Sequence, residues 1–236
     1  MKTIFYFFLA AAILTGCQPN YYMPHTQNVT LFDSVNQAQV NVNINSGGIE
    51  LNAAYSVGNN TAIAISGGVY RPSNVENGDG GSGYYMEPSF GYFKPLENNL
   101  VFETYLLAGF GNVENHFPST IGNNPGTTGK ISANIMTYGL QPQIGYKTKY
   151  IMVALSSRFV AVNYSDISGS LVFENQNQVG YLNRNANNFM IEPALTFRGG
   201  LEHLKFQVQF GNSFNVTNSD FKQGKDYFSV GIVGQF

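Results

Sequence analysis

The side chains that could perform acid–base chemistry are few in this 236-residue chain. Its three histidines are His25, His116 and His203. General acid–base catalysis needs such a group within hydrogen-bond reach of a partner that orients it or shares its proton. Asp79, Asp166 and Asp220 lie in predicted outer loops, and no histidine has an aspartate at the close spacing that would indicate such a pair. Isolated histidines and aspartates of this kind are usually solvated surface residues, so the sequence predicts no catalytic centre and no metal site.

The single cysteine, Cys17, could carry a different chemistry, acylation of its thiol. It ends the run Leu14-Thr15-Gly16-Cys17, which follows Lys2 and an uncharged apolar stretch over residues 4–14. That stretch has the length of an export-signal core and is too short to span a bilayer as a helix. A lone cysteine in an exported chain cannot form an internal disulfide and needs another explanation. An ordinary secretory signal with an accidental cysteine is the alternative.

The same run resembles the lipobox of bacterial lipoproteins, in which the cysteine after a small residue is diacylated before cleavage. The resemblance implies a signal peptide over residues 1–16 and a covalent diacylglycerol and acyl chain on Cys17, with no other cofactor. Because Gln18 rather than aspartate follows, it also implies release to the outer membrane. Residues 17–36 contain two prolines and no alternation, so we interpret them as a lipidated N-terminal tether between anchor and fold.

A third set of side chains is charged and lies within segments that alternate between polar and apolar residues. The six members of this predicted lumen polar cluster are Glu50, Glu87, Glu103, Arg158, Glu192 and Lys205. Glu103, for example, is opposed by Phe102 and Leu106 on the other face of its segment. Such a cluster could be a conduction path, a ligand site or a packed polar interior. We interpret it as mainly structural, with a salt-bridge network that joins Glu87, Glu103, Glu192, Arg158 and Lys205.

The elements that must position these residues are β-strands, because period-two alternation dominates after residue 36. Ten strands are predicted, near residues 37–46, 48–57, 61–71, 84–93, 99–111, 131–146, 150–163, 188–198, 203–212 and 226–236. Most have the length that a tilted strand needs to cross a bilayer. Short turns alternate with long connections rich in Asn, Gly and Ser, as in barrels with tight periplasmic turns and longer outer loops. We expect no helix after Cys17.

The fold class that follows is all-β, an antiparallel up-and-down transmembrane β-barrel over residues 37–236. We predict about ten strands, with eight as the alternative, and an even number puts both termini at the periplasmic side. Charged residues make up only 11% of the chain, against about 25% in ordinary soluble domains. A soluble lipocalin-like barrel would need those charges outside. The net charge of -2, with no basic run, argues against binding to nucleic acid.

Aromatic residues end the even-numbered strands and predict a periplasmic girdle at the headgroup level. Its members are Tyr55, Tyr92, Tyr146, Phe197 and Phe236. Lys94, Lys147 and Arg198 follow just beyond, where we expect cations to reach water and phosphate. Three of these strands share a Glu-Pro or Gln-Pro step, at Pro88, Pro142 and Pro193, which predicts a repeated bulge or bend.

The last predicted strand, residues 227–236, resembles the β-signal by which bacterial outer-membrane proteins are recognised for insertion. The resemblance implies the barrel-insertion machinery and outer-membrane lipids as partners of a Gram-negative outer-membrane protein. The function expected is therefore non-enzymatic, with exposed loops for surface interaction or envelope structure. A narrow channel or transporter for ions or a small solute is the alternative, and a loop-borne surface hydrolase that uses His116 is the second. No motif identifies an extracellular partner.

Overall fold

The computed structural model describes residues 19–45, 47–70, 80–117 and 126–236. Within these ranges the chain forms thirteen strands and one helix: β1 (Ala38–Asn45), β2 (Gly48–Ser56), β3 (Thr61–Tyr70), β4 (Gly80–Pro95), β5 (Leu100–Phe117), β6 (Gly129–Lys147), β7 (Ile151–Gly169), β8 (Val172–Phe173), β9 (Gln176–Asn177), α1 (Gln178–Arg184), β10 (Asn187–Gly200), β11 (Leu204–Asn212), β12 (Phe214–Asn215) and β13 (Asp226–Gln235).

Ten of these strands close into one antiparallel barrel. β1 to β7 pair in chain order, β7 pairs with β10, β10 with β11, and β11 with β13. The last strand then returns to the first, with Val42 opposite Ile232. The predicted all-β barrel is confirmed, with ten strands rather than eight. No helix among the described residues is long and apolar enough to cross a bilayer.

The two ends of the barrel differ in the length of their connections. At one end, which we call the short-turn end, tight turns join β2 to β3, β4 to β5, β6 to β7 and β10 to β11. At the other, the long-loop end, β3 and β5 end, β1 and β2 meet in a hairpin, and the chain connects β7 to β10 and β11 to β13. The Ala38 amide donates to the Phe236 carbonyl (2.8 Å), so β1 begins and β13 ends at the short-turn end.

The lower part of the wall has the pattern of a membrane barrel. On β5 the side chains of Phe102, Leu106 and Phe110 point outward and are 36–63% exposed, whereas Glu103 and Tyr105 point inward and are buried. An apolar exterior around a polar interior is stable when the exterior contacts lipid. This apolar band therefore marks the membrane-facing height of the barrel.

Above this band the pattern reverses within the same strands. Beyond Phe110 the outward positions of β5 are polar, Asn112 and Glu114 among them. The inward positions become mainly apolar instead, and Phe117 of β5 and Ile131 of β6 are buried there in a hydrophobic cluster. A polar exterior around an apolar core is the pattern of a water-soluble fold. The strands β4 to β7 thus run past the apolar band into a folded region at the long-loop end, which we call the cap.

The helix α1 belongs to this cap, so the prediction of no helix after Cys17 was wrong. The Asn177 side chain caps its first turn by accepting from the Gly180 amide (2.9 Å), and Leu182 is buried in the cap. A helix of seven residues is not stable alone and depends on tertiary packing. It is also too short to show a clear helical period in the sequence.

The prolines at Pro88 and Pro193 do not introduce the predicted bulge. Register is the same on both sides of Pro88, since Met86 lies opposite Phe110 and Ser89 opposite Leu107. Pro193 pairs directly with Ser157. Proline removes one ladder donor without needing an extra residue, so the bulge prediction was wrong. Among the described pairings of β6 with β7, the register shift falls near Ser132 and Asn134 instead.

Candidate functional site

The residues that precede β1 run through the barrel. At the long-loop end Asn20 and Asn115 are joined twice, from the Asn20 amide to Asn115 Oδ1 and from Asn115 Nδ2 to the Asn20 carbonyl (both 2.9 Å). At the short-turn end Lys147 Nζ meets Asp33 Oδ2 (2.7 Å). All residues from 21 to 32 except Met23 are buried. We call residues 20–33 the plug.

The plug corrects the prediction of an N-terminal tether over residues 17–36. Residues 21–32 of that segment lie inside the lumen rather than beside the membrane, so Asn20 and Phe236 are at opposite ends of the barrel. Strand counting had predicted both termini at one end. The ten-strand count correctly puts Ala38, where β1 begins, at the same end as Phe236. The residues before Ala38, however, pass back through the lumen to the long-loop end. The segment lacks alternation because protein surrounds it on all sides.

Inward side chains of the wall supply the hydrogen-bond acceptors that the plug backbone needs. Glu103 accepts from the amides of Leu31 (2.9 Å) and Phe32 (2.6 Å) and from the Thr30 hydroxyl (2.6 Å). Glu50 accepts from the Thr26 amide (3.0 Å). Buried amides without a partner are costly, and bonds to a carboxylate are among the stronger ones. Two predicted lumen acids thus bind the backbone of the plug, a segment of the same chain.

Room for the plug is also built into the wall. Gly145 of β6 faces the lumen, and a Cβ atom there would collide with Cδ1 of Leu31. The same Cβ would stand 2.8 Å from the Val153 carbonyl oxygen. A side chain at position 145 is therefore incompatible with the observed packing.

Arg158 forms the charged centre of the lumen. Its Nη2 donates to Glu87 (2.6 Å), its Nη1 lies 3.3 Å from Glu192 Oε2, and Nη1 also contacts Nε2 of His25 from the plug (2.8 Å). Arginine has donors only, so His25 Nε2 must accept and the ring hydrogen belongs on Nδ1. The Tyr85 ring stacks on this imidazole at 4.0 Å between centroids.

The predicted salt-bridge network is therefore smaller than expected. Glu87, Arg158 and Glu192 are joined, whereas Glu103 binds the plug. Lys205 lies at the short-turn end, where its Nζ donates to the Glu202 carbonyl (2.7 Å). It is separated from the acids because its position on β11 is only one residue from the turn.

Arg198, predicted to face water and phosphate outside, is buried in the lumen. It donates to Gln39 Oε1 (2.7 Å), Gln207 Oε1 (2.7 Å) and the Val29 carbonyl of the plug (2.6 Å). Strict alternation was the signal that could have found it. With Phe197 facing outward, the next residue must face inward.

At the short-turn mouth the plug is held by an ion pair. Burial raises the pKa of Asp33, but the hydrogen bond and charge of Lys147 outweigh this effect and leave the pKa below its usual value. Lys147 also donates to the Leu31 carbonyl (3.0 Å). A cavity of about 450 Å³ opens here, lined in part by Lys149 and His203.

At the long-loop end the plug is fastened to the cap. The Tyr21 hydroxyl and Lys222 Nζ both donate to Gln178 Oε1 (3.1 and 2.9 Å), and Lys222 Nζ stands over the rings of Phe173 (4.7 Å) and Tyr181 (4.9 Å). Burial lowers the pKa of Lys222. Cation–π contacts and a shared acceptor thus connect α1, the loop before β13 and the plug.

A cavity of about 290 Å³ lies beside the plug at the long-loop end. Its walls are mainly aromatic and apolar, and Glu87 and His25 lie at its base. The buried hydroxyls of Tyr22 and Tyr85 have no hydrogen-bond partner among the described residues. Unpaired buried hydroxyls beside such a space are the groups that ordered water commonly satisfies.

The predicted girdle residues lie on the outer surface at the strand ends near the short turns. Tyr55, Tyr92, Tyr146, Phe197 and Phe236 are all at least 40% exposed. Their contact with lipid headgroups stays a prediction.

The residues considered for catalysis are spread over the fold. His116 is exposed near the outer end of β5, and His203 lies in the turn before β11. Asp166 accepts from Asn134 Nδ2 (2.8 Å), and Asp220 is exposed in the loop before β13. No cluster of three possible metal ligands occurs among the described residues. Cys17 and Asp79 lie outside them.

Residues 1–18 match the family model described as "Prokaryotic membrane lipoprotein lipid attachment site". The N-terminus thus matches a lipid attachment site, and residues 38–235 form a ten-stranded antiparallel β-barrel. The match supports lipidation of the N-terminus and association of the chain with membrane lipid. No curated protein sequence matches the chain.

Several solved barrels are similar in structure. A major outer membrane protein from Thermus thermophilus is 12% identical, with a TM-score of 0.40, over 85% of this chain and 98% of that one. The KdgM porin is 11% identical, with a TM-score of 0.38, over 85% and 99%. The translocator domain of autotransporter NalP from Neisseria meningitidis is 13% identical, with a TM-score of 0.45, over 85% and 86%. Similarity at this level does not extend to activity.

Proposed function

We propose that this protein is a lipid-anchored outer-membrane barrel whose lumen is closed by its own plug and whose outer cap serves surface interaction or envelope structure, without catalytic activity. The observation that carries the proposal is the plug itself. Its amides and carbonyls occupy the lumen groups, Glu50, Glu103, Gln209 and Arg198, that a solute in transit would otherwise meet. A solute could pass only after these buried hydrogen bonds were broken.

The proposal includes an orientation. Barrels of this kind place tight turns in the periplasm and longer connections outside. The short-turn end, with Phe236 and the girdle, then faces the periplasm, and the cap faces the environment. The C-terminal strand β13 is the element through which the barrel-insertion machinery would recognise the chain.

Planar-bilayer recording tests the closed lumen. Purified, folded protein is expected to leave the bilayer sealed, and a variant that lacks residues 20–33 is expected to conduct. Folding of both is checked by heat modifiability on gels. Should the deletion not fold, the double substitution Glu50→Gln with Glu103→Gln weakens two attachments of the plug without removing chain, and it is expected to conduct intermittently. Steady conductance by the unmodified protein would contradict the closed lumen and favour the channel alternative.

A further inference from the structure

The outer end of the plug lies above the apolar band. Asn20 is joined to Asn115 of β5, which is five residues beyond Phe110, the last exposed aromatic on the outer face of that strand. At about 3.3 Å per residue, five residues cover roughly 16 Å along the strand. Between them the outward positions are polar. Asn20 is therefore at the level of the cap.

The distance from Asn20 to the anchor is short. Cys17 precedes Asn20 by three residues, which reach at most about 11 Å. The plug needs its full length to cross from Asn20 to Asp33 at the other mouth. Cys17 cannot reach the membrane surface at the short-turn end while the plug occupies the lumen.

One side of the wall is low enough for an acyl chain to cross. The hairpin between β1 and β2 carries Ile44 and Ile49 near its tip, both 57% exposed on the outer face, so the apolar band extends to this rim. The plug contacts the same tip, since a Cβ on Gly47 would approach Met23 Cε to 2.6 Å. β4 to β7, by contrast, rise well beyond the band.

We infer that the acyl chains on Cys17 insert into the leaflet at the long-loop end, beside the β1–β2 hairpin, so that the lipid anchor is on the cell-surface side of the outer membrane. The inference rests on the proposed function, in which the plug fills the lumen and the cap faces outward. It reverses the periplasmic anchor expected from the sequence. It also requires that, during assembly, the barrel closes around the plug after the acylated N-terminus has reached the cell-surface side of the membrane.

The test compares one epitope at three places in the full-length chain expressed in a Gram-negative host. A short hydrophilic epitope is inserted between Gln18 and Pro19, with matched insertions between Ser219 and Asp220 in the loop before β13 and between Glu97 and Asn98 in a short turn. Antibody binding is measured on intact cells and after the outer membrane is permeabilised. Heat modifiability confirms that each variant is folded.

The N-terminal epitope is expected to behave as the loop epitope does, with full binding on intact cells and no rise on permeabilisation. If the N-terminal epitope binds antibody only after permeabilisation, as the turn epitope should, the inference is overturned. The loop epitope, bound on intact cells, would still support the proposed orientation of the barrel. If instead the turn epitope binds on intact cells and the loop epitope does not, the proposed orientation fails, and the surface anchor with it.

A second measurement leaves the chain length unchanged. In Asn20→Cys the new thiol is the only free one, because Cys17 is acylated, and the backbone bonds of residue 20 to Asn115 are retained. Reaction with a membrane-impermeant maleimide on intact cells, matched by Ser219→Cys and not by Glu97→Cys, supports the inference. Because the Asn20 side chain is partly buried, the contradicting result is a thiol that reacts only after the outer membrane is permeabilised, in cells where Ser219→Cys reacts before permeabilisation.

Discussion

Replacing Glu103 by glutamine should loosen the plug without unfolding the barrel. The carboxylate takes hydrogen bonds from the Leu31 and Phe32 amides through different oxygens, Oε2 and Oε1, and from the Thr30 hydroxyl. Glutamine offers one acceptor oxygen, and its NH₂ group would face an N–H donor. At least one buried amide of the plug is then left without an acceptor.

The size of the effect follows from the bonds that change. A hydrogen bond to a charged group contributes about 1.5–3 kcal/mol and a neutral one about 1 kcal/mol. Losing one amide bond and reducing two others to neutral strength costs roughly 3–5 kcal/mol, and the smaller desolvation of the uncharged amide returns part of this. The net destabilisation of the closed plug should be about 2–4 kcal/mol, or roughly 30- to 1,000-fold in the open population.

Hydrogen exchange measures this opening directly. Amides in a peptide that covers residues 26–34 should exchange faster in Glu103→Gln by that factor, because exchange reports local opening. Glu97→Gln makes the same chemical change in an exposed turn and should leave exchange of this peptide unchanged. Equal exchange rates in Glu103→Gln and the unmodified protein, with both folded, would refute the role assigned to Glu103.

Three further predictions concern the other attachments. Arg158→Met leaves two buried glutamates without their cation and should lower barrel stability by about 3–5 kcal/mol, measured as the denaturant midpoint on heat-modifiability gels, with exposed Arg184→Met unchanged. Lys222→Met should speed exchange in residues 20–23 and 178–184 only, while exposed Lys225→Met has no effect. Asp33 has a lowered pKa, so its ion pair stabilises the fold above the usual carboxyl pKa and is lost as pH falls through the lower folded value. At pH 7 the unmodified protein should be more stable than Asp33→Asn by about 0.2–1 kcal/mol, because the ion pair is partly exposed. This difference in the free energy of unfolding should vanish in acid, and a difference that persists there would contradict the role assigned to the Asp33–Lys147 pair.

The transmembrane strands could be predicted because lipid selects one face of each. Val40 and Val42 alternate with Asn41 and Asn43, and this pattern needs no knowledge of neighbouring strands. The alternation also predicted which acids face inward, Glu50 and Glu103 among them. It could not predict what they bind. An acceptor inside a barrel can serve water, a salt bridge or a backbone amide, and only the three-dimensional path of the chain decides among these.

The outer cap was missed for a related reason. Beyond Phe110 the outward positions of β5 are polar and most inward positions are apolar. The alternation therefore continues, but the apolar face is now the inner one. A segment such as 112–117 then looks like a polar loop if lipid is assumed outside. The strands β5 and β6 in fact continue in pairing to Phe117 opposite Gly129.

The plug has the same layering as the wall that surrounds it. Its outer residues Tyr21 and Tyr22 are buried in the apolar cluster of the cap. Its middle, from His25 to Thr30, meets the charged and amide side chains of the lumen, and Phe32 packs edge-on against Phe93 at the short-turn end, with 6.0 Å between ring centroids. Sliding the plug by a few residues would put tyrosine rings among carboxylates and polar side chains in the apolar cap. A single register is therefore strongly favoured, and with it a fixed position for the anchored end of the chain.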